Sequence, residues 1–227
     1  LFHLNMKNGV TDQLTEFEAT GNDLFCIETL DPAWATENWT YENGNIDEGV
    51  EFSVFCSPEG YTYVPDDNFE QALIDLGYDD VLNDFVVTEI IAGVTSLDVG
   101  GKQISDLTGI EDFTALTTLH CDNNQLTSLD VSSNTALTFL WLYSNQLTSL
   151  DVSNNTALEV LKCQGNQLTS LDVSSNTALT TLQGHNNQLT SLDVSNNTAL
   201  SDLYVPNNQL TSLDVSNNTA LERIECF

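Results

Sequence analysis

Three sets of residues combine type and spacing in a way that bears on chemistry. The first is a series of aspartates, Asp130, Asp151, Asp172, Asp193 and Asp214, each 21 residues from the next and flanked by Ser and Thr. Stacked on successive turns of a coil about 5 Å apart, neighbouring carboxylates repel by roughly 0.8 kcal/mol even in water. Ser, Thr or backbone donors would offset that. So would Ca2+, a hard cation that takes carboxylate oxygens, although one carboxylate per coil is a thin supply for an ion that wants about six to eight oxygens. The second set is a row of alternating aromatics, Phe139, Trp141 and Tyr143, with His120 and Lys162 at the equivalent of Trp141 in the repeats before and after it. Gln183, His185 and Tyr204 continue the same positions. Such a set is suited to recognition, by apolar contact or by stacking on a sugar or a protein side chain. The third set is the cysteines. Cys121, Cys163 and Cys226 are separated by multiples of 21 residues and read as buried core thiols, whereas Cys26 and Cys56 lie outside the regular repeats and are candidates for a disulfide.

Catalysis needs groups that converge. His3, His120 and His185 are scattered, with the last two three coils and about 14 Å apart by strand spacing. The pairs Asp66-Asp67 and Asp79-Asp80 suit a helix start and a turn. The sequence therefore points away from an enzyme.

The element that positions these residues is a repeat. The unit TALTTLHCDNNQLTSLDVSSN begins at Thr114 and recurs from Thr135, Thr156, Thr177 and Thr198, with a partial copy from Thr219. Leu119 and Cys121 alternate with Thr118, His120 and Asp122, so one set faces inward and the other outward on a strand. Successive strands would form a parallel sheet, and Asn124, Asn145, Asn166, Asn187 and Asn208 an internal ladder satisfied by turn backbone. The second half of each unit repeats the logic, with Leu126, Leu129, Val131 and Asn134 in the parts of Leu116, Leu119, Cys121 and Asn124. Extended segments are expected on both faces of a narrow coil with little helix.

The pattern L-x-x-L-x-C-x-x-N-x-L, with Leu116, Leu119, Cys121, Asn124 and Leu126 in place, resembles the leucine-rich-repeat signature over about half of the chain. The text N-Q-L-T-S-L-D-V-S-x-N-T-A-L is similar to short repeats of secreted and surface proteins of Bacteroidetes-type bacteria. The resemblance implies a right-handed solenoid of parallel β-strands, an extracellular or cell-surface setting, and ligand binding on the outward strand face. The half L-T-S-L-D-V-S-x-N-T-A is nearly constant between units, and variation concentrates on that outward face.

Residues 61–113 read as an N-terminal cap with transitional repeats. Pro65-Asp66-Asp67 supplies a helix start, Phe69, Leu73 and Leu76 follow at helical spacing, and Gly77 supplies a stop. Leu97, Val99, Ile104, Leu107, Ile110 and Phe113 mark the transition. Residues 114–227 hold five full repeats and one partial. In residues 1–60, Leu1, Leu4 and Met6, then Leu14, Phe17, Ala19 and Asn22, then Leu24 and Ile27 fit diverged half-repeats. Trp34, Trp39 and the run Val50 to Cys56 break the pattern and resemble the C-terminal cap of a preceding array. The chain thus reads as a piece of a longer protein, or as a subunit whose complementary ends allow head-to-tail assembly into a filament or ring.

Four Lys plus Arg stand against 34 Asp plus Glu, a net charge of -30. That surface repels nucleic acid and anionic lipid, and no stretch is apolar enough to insert in a membrane. The expected partner is a protein or glycan. The alternatives are self-assembly and a calcium-dependent form of either.

Overall fold

The computed structural model describes residues 4–7, 14, 16–22, 24, 26–53, 56 and 58–226. The chain divides into two compact units, Leu1–Glu59 and Gly60–Phe227.

In the first unit, strands β1 (Leu4–Asn5), β2 (Cys26–Glu28) and β3 (Glu51–Ser53) form a parallel sheet, with helix α1 (Pro32–Asn38) between β2 and β3. Leu4 lies beside Ile27 and Ile27 beside Phe52. Glu51–Ser53 thus continues the coil where the sequence suggested a break. Asp31 caps α1 by accepting the Trp34 amide, and Pro32 starts it. The helix was not expected, because its apolar residues are too few to show a period. It sets Trp34 edge-on to Trp39, whose other contacts are Phe17 at 4.2 Å and Phe52 at 5.8 Å. Leu14, expected inside, is exposed. Cys26 and Cys56 are joined by a disulfide that ties β2 to the segment after β3. Leu1, His3, Val54 and Phe55 lie outside the described residues.

The second unit opens with β4 (Tyr61–Tyr63), helix α2 (Asp67–Asp75), β5 (Phe85–Val87) and helix α3 (Thr88–Ala92), with β4 and β5 antiparallel. Asp66 is the N-cap of α2. Its Oδ1 accepts the Asn68 and Phe69 amides, and its Oδ2 accepts the amides of Ser105 and Asp106 and the Ser105 hydroxyl. One carboxylate therefore starts the helix and fastens it to the first coil. Phe69 and Leu73 are fully buried, but Leu76 falls at the C-cap, where it is exposed, and Gly77 turns the chain with φ +81°. The transitional residues Leu97, Val99, Ile104, Leu107, Ile110 and Phe113 all lie in the core.

The rest is the solenoid. Strands β6 (Ser96–Asp98), β7 (Thr118–His120), β8 (Phe139–Trp141), β9 (Val160–Lys162), β10 (Thr181–Gln183), β11 (Asp202–Tyr204) and β12 (Arg223–Glu225) form one seven-stranded parallel sheet in sequence order. Each strand has three residues because each repeat offers one inward Leu between two outward positions. Leu119, Leu140, Leu161, Leu182 and Leu203 are fully buried. Asn123, Ser144, Gly165, Asn186 and Asn207 then leave the strand in the left-handed region, φ 54° to 67°, which small polar residues and Gly tolerate.

Two asparagine ladders run through the interior. Asn166 donates to Leu142 and Cys163 carbonyls and accepts the Leu147 amide. Asn176, in the second ladder, donates to Val152 and Asn155 carbonyls, while its Oδ1 has no partner. The second half of each repeat forms no strand ladder, contrary to expectation. Its backbone closes tight turns instead, with the Asn134 amide donating to Val131 and the Leu137 amide to Asn134. Cys121 and Cys163 are buried as expected, whereas Cys226 is half-buried in the last coil.

Candidate ligand-binding face

The outward positions of the sheet form columns because register is constant: Thr118, Phe139, Val160, Thr181, Asp202 and Arg223 lie side by side. The column two residues on runs His120, Trp141, Lys162, Gln183, Tyr204, Glu225. Phe227, expected to end the next column, lies outside the described residues.

Trp141 is the centre of a stack. The His120 ring lies against it with centroids 3.9 Å apart and planes 10° from parallel. Lys162, from the strand on the other side, places Nζ 4.0 Å from the indole centroid. His120 Nδ1 is in turn 4.0 Å from Asp98 on β6. An anion, an imidazole, an indole and a cation thus follow one another across four strands. Trp141 Nε1 is buried and has no hydrogen-bond partner.

This corrects the expectation of an open aromatic row. Phe139 is 36% exposed, but Trp141 and Tyr143 are half-buried. Parallel strands stand about 4.8 Å apart, so a flat ring in one column lies against its neighbours in that column rather than facing solvent. The neighbouring Asp122 carboxylate raises the Tyr143 phenol above its usual pKa, with burial adding to the effect. Asp122 also accepts the Asn123 side-chain amide at 2.6 Å.

Gln183, His185 and Tyr204 are brought together elsewhere on the face. With Asp202, Arg223 and Glu225 they line an open depression of about 690 Å³. His185 meets Tyr204 edge-on at 4.5 Å. Burial pushes the His185 pKa down, against an opposing pull from Glu225, and its Nδ1 is buried without a partner. Arg223 pairs with Asp202 at 3.1 Å. The charged residues of this depression were legible as members of the variable columns. Asp98 was not, because the step from β6 to β7 is 22 residues and breaks the count.

In the constant half of each repeat, the aspartate column is occupied with local work. Oδ1 of Asp130, Asp151, Asp172, Asp193 and Asp214 each accepts the amide of the serine two residues on, at 2.9 Å. These bonds, with the serine hydroxyls, hold all five carboxyls below their ordinary pKa. The Ser donors weighed against calcium are therefore in place.

No family model matches the sequence. Internalin J of Listeria monocytogenes serotype 4b (strain F2365) is 44% identical over 72 residues, 32% of this chain and 8% of that relative. The solved functional domain of InlJ from Listeria monocytogenes, described as including a cysteine ladder, matches with a TM-score of 0.59 at 39% identity, over 74% of this chain and 43% of that one. A Leptospira interrogans LRR protein matches with a TM-score of 0.54 at 25% identity, over 62% of this chain and 38% of that one. The chain is a leucine-rich-repeat protein. Another solved internalin, inlF of Listeria monocytogenes, shares this repeat solenoid with a TM-score of 0.63 at 28% identity, over 70% of this chain and 48% of its own. The repeat chain spans less than half the length of these solved relatives. They come from Listeria and Leptospira and do not speak to a Bacteroidetes-type source. Among the described residues, no helix of the repeat protein is long and apolar enough to cross a membrane.

Proposed function

We propose that the chain is a non-enzymatic recognition module of a secreted or surface protein, which takes a protein partner on the outward face of β7–β12. The observation that carries this is the partition of the repeat: a constant half builds turns, and a variable half projects from a rigid sheet in fixed columns. A scaffold that keeps its frame while varying one face is suited to recognition. The internalin likeness supports the same reading. The disulfide in the first unit is in keeping with an oxidising compartment.

A protein partner is favoured over a glycan by the Trp141 stack. Sugar stacking needs an open ring face, and both faces of Trp141 are taken, by His120 and Lys162. What the site offers is the exposed Phe139 beside the Asp98–His120–Trp141–Lys162 line, together with the depression around Tyr204, a combination of apolar anchor and polar rim.

The test is a screen of the full chain against extracellular-domain and glycan arrays, repeated with Phe139→Ser, Tyr204→Ala and, on the constant face, Ser174→Ala. A protein hit whose affinity falls at least about tenfold with either face variant but not with Ser174→Ala supports the reading. Binding indifferent to both face variants, or glycan binding alone, overturns it.

A further inference from the structure

We propose that the cap of the second unit holds a calcium ion between helix α2 and the loop before β5, on Asp67, Glu70 and Asp84. The three side chains come from two places in the chain, the first turn of α2 and the turn into β5. One carboxylate oxygen from each lies within 4.8 Å of the other two. Calcium binds oxygen at about 2.3–2.6 Å, so two of its ligands stand at most about 4.6–5.2 Å apart across the ion and three in one plane about 4.0–4.5 Å, and a small rotation of the Asp67 and Asp84 side chains brings all three oxygens into one shell. Magnesium, with oxygens at about 2.0–2.1 Å, requires a tighter set.

The second observation is Glu70 itself. It is fully buried. Its Oε1 accepts the amides of Asn83 and Phe85, which accounts for that oxygen as a clasp between α2 and the loop. Oε2 is buried as well and has no hydrogen-bond partner. A buried carboxylate oxygen left without a donor is costly, and more so with two further carboxylates beside it. A divalent cation satisfies the bare oxygen and cancels the mutual repulsion in one step. Asp84 is held in the left-handed region, φ 68°, where its carbonyl accepts the Val64 amide, so its backbone is committed while its solvent-facing side chain can turn onto an ion. Asp67 is exposed on the outer side of the helix start. The opening left by two exposed ligands gives water access to complete the shell.

This site is separate from the variable face and from the aspartate column, and it is tested without reference to any partner. Chelator-stripped full chain is titrated with CaCl2 in a calorimeter, and its melting temperature is followed with and without the ion. The expected result is one ion per chain, and a rise in melting temperature of about 5–10 °C at free calcium one hundredfold above Kd. Asp67→Asn and Asp84→Asn, both exposed and tolerated by the fold, each weaken calcium binding by at least tenfold. Asp151→Asn and Asp172→Asn leave it unchanged. Glu70→Gln, which keeps an acceptor for Asn83 and Phe85, abolishes it. An absence of binding at millimolar calcium, or binding that survives both Asp67→Asn and Asp84→Asn, overturns the proposal.

Discussion

Asn166 reaches across a coil boundary to Leu147, accepting its backbone amide at 3.0 Å, while both hydrogens of its side-chain amide go to carbonyls. The equivalent residue of the other ladder, Asn176, makes the two donations but accepts nothing. The ladders look alike in sequence and differ in what they satisfy. Asn166→Ala strands three buried backbone groups and is expected to cost about 3 kcal/mol; Asn176→Ala strands two and removes an orphaned oxygen, for about 1 kcal/mol. Urea unfolding of the two variants measures the difference, and equal losses would contradict this assignment.

The Cys26–Cys56 bridge spans 30 residues within the first unit. Chain-entropy arguments put its contribution at about 3.6 kcal/mol for a loop of that length. Mild reduction is expected to loosen the Trp34–Trp39–Phe52 cluster, seen as a change in near-ultraviolet dichroism. Hydrogen exchange at Leu161 and Leu182, deep in the solenoid, is expected to stay as slow as before. Loss of solenoid protection on reduction would show that the bridge acts beyond its own unit.

The three remaining thiols should divide by burial. Cys121 and Cys163 are fully buried, and desolvation pushes Cys163 up to about 12 and Cys121 higher still. Neither is expected to react with iodoacetamide in the native protein at pH 8, since the thiolate is the nucleophile. Cys226, half-buried, is expected to label first. Peptide mass mapping after timed alkylation gives the order.

Much of this was legible from spacing alone. The central Leu of the strands from β7 to β11, the first Asn ladder and the outward columns all follow from a 21-residue count repeated nearly verbatim, and the Asp66 helix start from the Pro65-Asp66-Asp67 triplet. What the count cannot carry is competition between equally plausible uses of one residue. Asp130 and its equivalents looked suited to strands or to a cation, and hydrogen bonds to Ser132 and its counterparts made them turn residues. Trp141 looked exposed because alternation assigns a side, and a side is not the same as access; His120 and Lys162 decided that. Helices α1 and α3 were hidden because seven and five residues are too short to display a helical period. Glu70 went unnoticed because a charge on a helix is normally read as solvated.

The aspartate turns also give the solenoid an acid limit. Each of these carboxyls has a folded pKa below its ordinary value of 3.8, because Ser side-chain and backbone donors favour the ionised form. A depressed acid contributes stability that is complete above the unfolded value and is lost as pH falls through the folded one. Unfolding midpoints in urea should therefore hold from neutrality to about pH 4 on account of this column, and fall below it. Replacing Asp151, Asp172 and Asp193 together by Asn is expected to flatten that fall. An unchanged acid slope in the triple variant would remove the column from the explanation.

The constant register of the sheet has an evolutionary reach. Because every coil meets its neighbour through the same bonds, deleting one whole unit, Thr156 to Asn176, leaves two compatible edges. It would seat Gln183 directly against Trp141 in place of Lys162. A single unequal recombination between repeats, at no cost in frame, thus removes a cation from the indole and shortens the face by about 4.8 Å. The recognition surface can be reshuffled by whole units of inheritance, without waiting for point substitutions.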